Sequence, residues 1–140
     1  MMLPACAGPL HTSPLHLARE SPFIAVTVHD CYDGDTCTVT LNDPLLPAIF
    51  GERIPVRLDG IDTPERHSPC ADERRQAKAA RTFLLDRLAH ATRVDLVTPR
   101  RDKYFRILAL VTADGEDLSA ALLHAGLAYP YHGGTKTAWC

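Results

Sequence analysis

The chain has 140 residues, a 46% hydrophobic fraction and a net charge of −2, figures that fit one globular domain with a core of its own. No apolar run approaches the ~20 residues that cross a bilayer, which excludes a membrane-spanning helix. The slight acidity excludes a protein that coats nucleic acid by charge alone, since such binding grows with the number of phosphates neutralised, yet it leaves room for a local basic patch beside clustered carboxylates.

Residues 1–22 hold four prolines, few charges and no periodicity, the marks of a flexible leader or the remnant of a targeting segment. Leu3-Pro4-Ala5-Cys6 is similar to the end of a lipoprotein signal but lacks the basic and apolar regions that precede one. A loose leader is therefore the expectation, with lipid attachment through Cys6 as the alternative. The folded domain is expected over 23–140.

From Phe23 onward Ile24, Val26 and Val28 alternate with Ala25, Thr27 and His29, and Cys37, Val39 and Leu41 repeat the pattern after Asp33-Gly34. Two alternating runs joined through Asp-Gly read as a β-hairpin. A loop with Pro44 and Pro47 follows, then a third strand in which Ile54, Val56 and Leu58 share one face and Arg53, Pro55 and Arg57 the other. Residues 73–90 change to helical spacing, with Ala77, Ala80, Leu84 and Leu88 on one side and Arg74, Arg75, Lys78 and Arg81 read as a solvated face. Val94 and Leu96 mark a fourth strand and 100–106 a basic connection. Ile107, Ala109 and Val111 mark a fifth strand ended by Asp114-Gly115, and a second helix is expected over 117–125 with Gly126 as its stop. Three strands, a helix, two strands and a helix give an α+β protein, mainly β. The first three strands have no crossover helices, so the order fits a five-stranded Greek-key barrel of the oligonucleotide-binding (OB) type, with two to three helices, better than a parallel sheet.

Five cysteines are many for a reducing compartment, and their odd number leaves one over. No zinc-ligand spacing is present. Cys31 and Cys37 flank one hairpin turn, and Cys70 and Cys140 would pin a glycine-rich polar segment to the loop after residue 65, leaving Cys6 unpaired; five thiols allow other arrangements. The expected location is secreted or periplasmic.

The chemistry concentrates in two stretches. In Val56-Arg57-Leu58-Asp59-Gly60-Ile61-Asp62-Thr63-Pro64-Glu65 an alternating strand reaches a glycine, releases polar residues and is stopped by proline. Asp33-Gly34-Asp35-Thr36 lies upstream. Asp35, Asp62 and Glu65 offer hard oxygen atoms, and Arg57 on the feeding strand offers a two-pronged donor. Carboxylates gathered with arginine suit metal-assisted attack on a phosphate. Each motif alone is weak, because Asp-Gly is a common turn and Thr-Pro a common stop.

Taken in register with Asp102-Lys103-Tyr104-Phe105-Arg106, these motifs resemble the staphylococcal nuclease (thermonuclease) family over about residues 24–130. The resemblance implies an OB-fold phosphodiesterase that uses Ca2+ to cut DNA and RNA. It implies Asp35 and Asp62 as calcium ligands, with Thr63 adding its backbone carbonyl. By the same resemblance Glu65 orients or deprotonates the attacking water, and Arg57 and Arg106 hold the scissile phosphate. Lys103 is read as a rim charge near substrate and Tyr104 as a residue packing on sugar or base. A monomer is expected. Phe105 stands where the family commonly has glycine, the loop over 66–72 is short, and no third terminal helix follows Tyr129. The rival reading is a non-catalytic OB-fold module that binds nucleic acid or protein, against which the retained Asp35, Asp62, Glu65, Arg57 and Arg106 stand.

Overall fold

The structure, a computed structural model, describes residues 23–44, 48–104 and 106–140. The leader expected over 1–22, Cys6 within it, and Phe105 lie outside the described residues. The elements in chain order are β1 (Phe23–Cys31), β2 (Thr36–Leu41), α1 (Ala48–Gly51), β3 (Ile54–Leu58), β4 (Ile61–Asp62), α2 (Ala71–His90), β5 (Val94–Arg101), β6 (Ile107–Ala113), β7 (Glu116–Asp117), α3 (Leu118–His124) and β8 (Tyr129–Pro130).

Five strands close a barrel. β1 pairs antiparallel with β2 and β5, β2 with β3, and β5 with β6, while β3 runs parallel to β6 and completes the ring. The alternation that marks each strand turns Val26, Val39, Val56, Leu58, Leu96, Ala109 and Val111 into one core, which Ala80 and Leu84 of α2 and Leu118 and Leu122 of α3 complete. The expected barrel and both long helices are therefore present. α2 carries Asp72 and Glu73 in its first turn and Arg87 and His90 in its last, charges of the sign that suits each end of a helix dipole. Asp117 caps α3, accepting from the backbone N–H groups of Ser119 (2.9 Å) and Ala120 (3.2 Å).

Two turns differ in kind although both contain Asp-Gly. At Asp114-Gly115 both residues have positive φ, 49° and 84°, as a tight hairpin turn with the right twist requires. Gly34 has no positive φ, and the β1–β2 connection is a longer loop closed by Tyr32 N–H donating to the Thr36 carbonyl at 2.8 Å. Its glycine serves close approach instead. A Cβ at Gly34 would lie 2.8 Å from Ala80 Cβ and 3.0 Å from Thr63 Cγ2, so the absent side chain lets α2 and the 63–65 stretch press against the loop.

Two of the arginines read as a solvated face have other work. Arg81 Nε donates to the Cys31 carbonyl at 2.7 Å, and Arg74 donates to the Ser68 carbonyl at 2.7 Å; both tie α2 to loops around the barrel mouth.

Candidate active site

Strand alternation places Arg57. Its neighbours Val56 and Leu58 enter the core, so Arg57 turns to the other face of β3, opposite Thr36 on β2 and Leu108 on β6. Gly60, at φ +83°, reverses the chain immediately afterward, and Ile61, Asp62, Thr63 and Pro64 are buried in succession. Asp35 arrives from the other side: its carbonyl accepts from Leu58 N–H at 2.8 Å, which fastens the β1–β2 loop to β3. Its Oδ2 accepts from Thr63 N–H at 3.1 Å and its Oδ1 from the Thr36 hydroxyl at 3.0 Å.

Arg57 stands between the two buried aspartates. One guanidinium nitrogen, Nη2, lies 3.5 Å from Asp35 Oδ2 and 3.6 Å from Asp62 Oδ1, and donates to the Ile61 carbonyl at 3.4 Å. The Thr63 hydroxyl beside them is buried and has no hydrogen-bond partner among the described residues, an unused oxygen in a cluster of oxygens. Asp33 Oδ1 accepts from Asp35 N–H at 3.1 Å. Burial, and next the charge of Asp35, push the Asp33 carboxyl up to about 6.

Glu65 is differently held. Its backbone N–H donates to Glu73 Oε1 at 3.0 Å, so the first turn of α2 fixes its main chain, while its side chain is two-thirds exposed. Arg106 donates from Nε to Asp102 Oδ2 at 2.8 Å and lies 5.3 Å from the centre of the Tyr104 ring. A bond through Nε fixes the plane of a guanidinium and keeps its terminal nitrogens for a second partner. Asp102 also accepts from the N–H groups of Tyr104 (2.8 Å) and Arg106 (3.0 Å). Burial alone would raise the Asp102 pKa, but these donors outweigh it and the value falls. Asp59 is lowered chiefly by its hydrogen bond from Arg100.

All eight residues singled out from sequence, Asp35, Arg57, Asp62, Thr63, Glu65, Lys103, Tyr104 and Arg106, line one cavity of about 590 Å³ at the barrel mouth. Lys136, also in its lining, was not among them. Lys136 places Nζ 2.8 Å from Asp62 Oδ1 and 3.7 Å from Glu65 Oε1. Burial would lower its pKa, but Asp62 outweighs that effect and raises it. Lys136 follows Gly133-Gly134-Thr135 in a segment with no periodic signal, and it reaches the site through the short β4–β8 pairing, which sets Tyr129 opposite Asp62. Nothing local in the sequence announces that pairing.

Chemically the cavity offers the buried carboxylates of Asp35 and Asp62, that of Glu65 at the rim, and arginines on two sides, while Asp33, Asp59 and Asp102 in its lining accept hydrogen bonds from Asp35, Arg100 and Arg106. Among the described residues no three carboxylate, imidazole or thiol side chains converge to enclose a metal by themselves. Two carboxylates with the oxygens of Thr63 do suit a hard cation, whose remaining positions water and phosphate oxygens would fill.

The family model for staphylococcal nuclease homologues matches residues 55–138, and the chain belongs to that family. Similar proteins from Bacillus subtilis (strain 168) include endonuclease YncB, 32% identical over 129 residues covering 86% of this chain and 56% of its own length. The SPbeta prophage-derived endonuclease YokF is 35% identical over 121 residues, covering 81% of this chain and 37% of its own length. The chain thus spans about half or less of the curated relatives it matches.

Proposed function

We propose that this chain is a nuclease that hydrolyses phosphodiester bonds of DNA and RNA by calcium-assisted attack of water. The observation that carries the reading is the placement of buried Asp35 and Asp62 at 3.5 and 3.6 Å from one nitrogen of Arg57. That arrangement puts anionic oxygens and a phosphate-binding fork within one small volume. The names of the two relatives and the family membership support the same chemistry.

Asp35 and Asp62 would hold the cation, with Thr63 through its backbone carbonyl. When bound, calcium supplies positive charge at the phosphate and makes coordinated water more acidic. Glu65, exposed at the rim, takes the proton from the attacking water. Arg57 and Arg106 bind the non-bridging oxygens and stabilise the charge that grows on them, a task for which the planar guanidinium is better shaped than an ammonium. Lys103 and Tyr104, both exposed beside Arg106, are positioned for the adjoining phosphate and the sugar or base. The domain is assigned to residues 23–140, acting as a secreted or periplasmic monomer. Cys31 stands opposite Cys37 across β1 and β2, and Cys140 lies beside Cys70; bonds between these partners would favour an oxidising compartment.

The test is digestion of plasmid DNA and of RNA with calcium and then with excess chelator. Cleavage with calcium and silence in chelator are expected; full activity in chelator would remove the metal from the mechanism. Magnesium should serve poorly, because it demands tighter octahedral geometry and sheds water reluctantly. The alternative, a non-catalytic module that binds nucleic acid or protein, draws on Lys136 standing on Asp62; binding without cleavage under any cation would establish it.

A further inference from the structure

Residues 131–140 fold back over the cavity and are fastened at both ends. At the near end Tyr131 N–H donates to the Gly60 carbonyl at 2.9 Å, and the Tyr131 hydroxyl donates to the Gly134 carbonyl at 3.1 Å. Gly133 and Gly134, with φ of 97° and 86°, turn the chain in a way that few other residues allow. At the far end the Trp139 ring stacks on Tyr129 with centroids 4.0 Å apart, and Cys140 meets Cys70 at the start of α2. Lys136 occupies the middle of this closed loop. A lysine on a free chain end would lose much of its conformational freedom in reaching one carboxylate, whereas a loop closed on both sides has already met most of that cost.

From this geometry we propose that Lys136 is a tethered counter-ion that competes with the divalent cation for Asp62, held at the site by closure of the 131–140 loop on Tyr129 and Cys70. The inference rests on the reading of Asp35 and Asp62 as cation ligands. Calcium binds carboxylate oxygens at about 2.3–2.6 Å, and Lys136 Nζ already lies 2.8 Å from Asp62 Oδ1. Both cations cannot use that oxygen without standing close together, where like charges repel strongly even near a protein surface. The ammonium must therefore yield for calcium to enter. It has somewhere to go: the Lys136 side chain is 45% exposed, so the ammonium can swing outward into solvent. The residue thus sets the calcium concentration at which the site fills.

Calorimetric titration of calcium chloride into chelator-stripped protein tests this by binding, without reference to turnover. Lys136→Met should bind calcium at least about tenfold more tightly than the unaltered protein, because a full charge next to the ligand is gone. Lys136→Arg, which keeps the charge and the reach, should stay within about threefold of the unaltered protein. The Cys70→Ser/Cys140→Ser protein should shift in the same direction as Lys136→Met but less far; an unchanged affinity there overturns the part of Cys70 in the tethering. If that double variant does not fold, the two Lys136 variants decide the competition by themselves. Unaltered or weaker calcium binding by Lys136→Met overturns the inference while leaving the calcium reading of Asp35 and Asp62 in place. Failure of both the unaltered protein and Lys136→Met to bind calcium overturns that reading, and this inference with it.

Discussion

Glu65 differs from its two carboxylate neighbours in what the fold controls. The side chains of Asp35 and Asp62 are 8% and 5% exposed, whereas that of Glu65 is 66% exposed and only its main chain is fixed, through Glu73. A buried carboxylate between fixed donors suits a ligand, and an exposed one at the rim suits a group that must reach water and release a proton. Glu65→Gln preserves size, the backbone bond to Glu73 and an oxygen toward Lys136, and removes only the basic oxygen. Turnover on plasmid DNA should fall about 10²-fold or more, with calcium affinity nearly intact by calorimetry. Turnover at the unaltered rate would take Glu65 out of the mechanism.

The site is assembled where elements touch, and Gly34 shows how tightly. A methyl group there would meet Ala80 of α2 at 2.8 Å and Thr63 at 3.0 Å, and neither a helix backbone nor a buried threonine gives way easily. Gly34→Ala should cost about 1–3 kcal/mol in urea unfolding, as overpacking does, and should weaken calcium binding because the shift pushes Thr63 away from Asp35. A full-stability variant would mean that the loop is free to move and that α2 does not set its position. The same contacts explain what was legible in the sequence. Period-2 and period-3.6 patterns identify the five barrel strands and both long helices, because each buries one regular face. Arg57 could be placed opposite its core neighbours for the same reason. Lys136 could not, since its position depends on a pairing of only two residues, Ile61 with Pro130 and Asp62 with Tyr129, too short to leave a pattern. Asp-Gly signals a turn at both positions, but whether its glycine serves backbone conformation or close packing is decided by α2, far along the chain.

For the molecule as a whole, the barrel mouth carries paired charges that make stability depend on acid. Asp59 is held below its ordinary value of 3.8, first by the hydrogen bond from Arg100. A depressed carboxyl contributes stability above the unfolded value and loses it as pH falls through the folded one, so this contribution begins to fade near about pH 4 and is gone once the pH is below the folded value. Asp59→Asn should flatten the fall in urea midpoint between about pH 5 and pH 2; a slope equal to that of the unaltered protein would show that the pair contributes nothing to folding. The larger constraint is covalent. Cys70 and Cys140 lie 70 residues apart in sequence, and their Cα atoms are 6.5 Å apart in the fold, within the span that a disulfide bridges. A bond there encloses α2, both later barrel strands and α3 in one loop. Closing a loop of that length restricts the unfolded chain by about 4 kcal/mol in the chain-entropy model. Non-reducing peptide mapping of protein from an oxidising compartment should recover Cys70 and Cys140 in one linked peptide pair, with Cys31 linked to Cys37. Cys70→Ser/Cys140→Ser should then unfold at a clearly lower denaturant concentration, with the steepness of the transition telling whether the unfolded chain expands once the loop is opened. Free thiols at both positions, or an unchanged midpoint, would mean that the stack of Trp139 on Tyr129 and the bond from Tyr131 to Gly60 hold the segment over the site without covalent help.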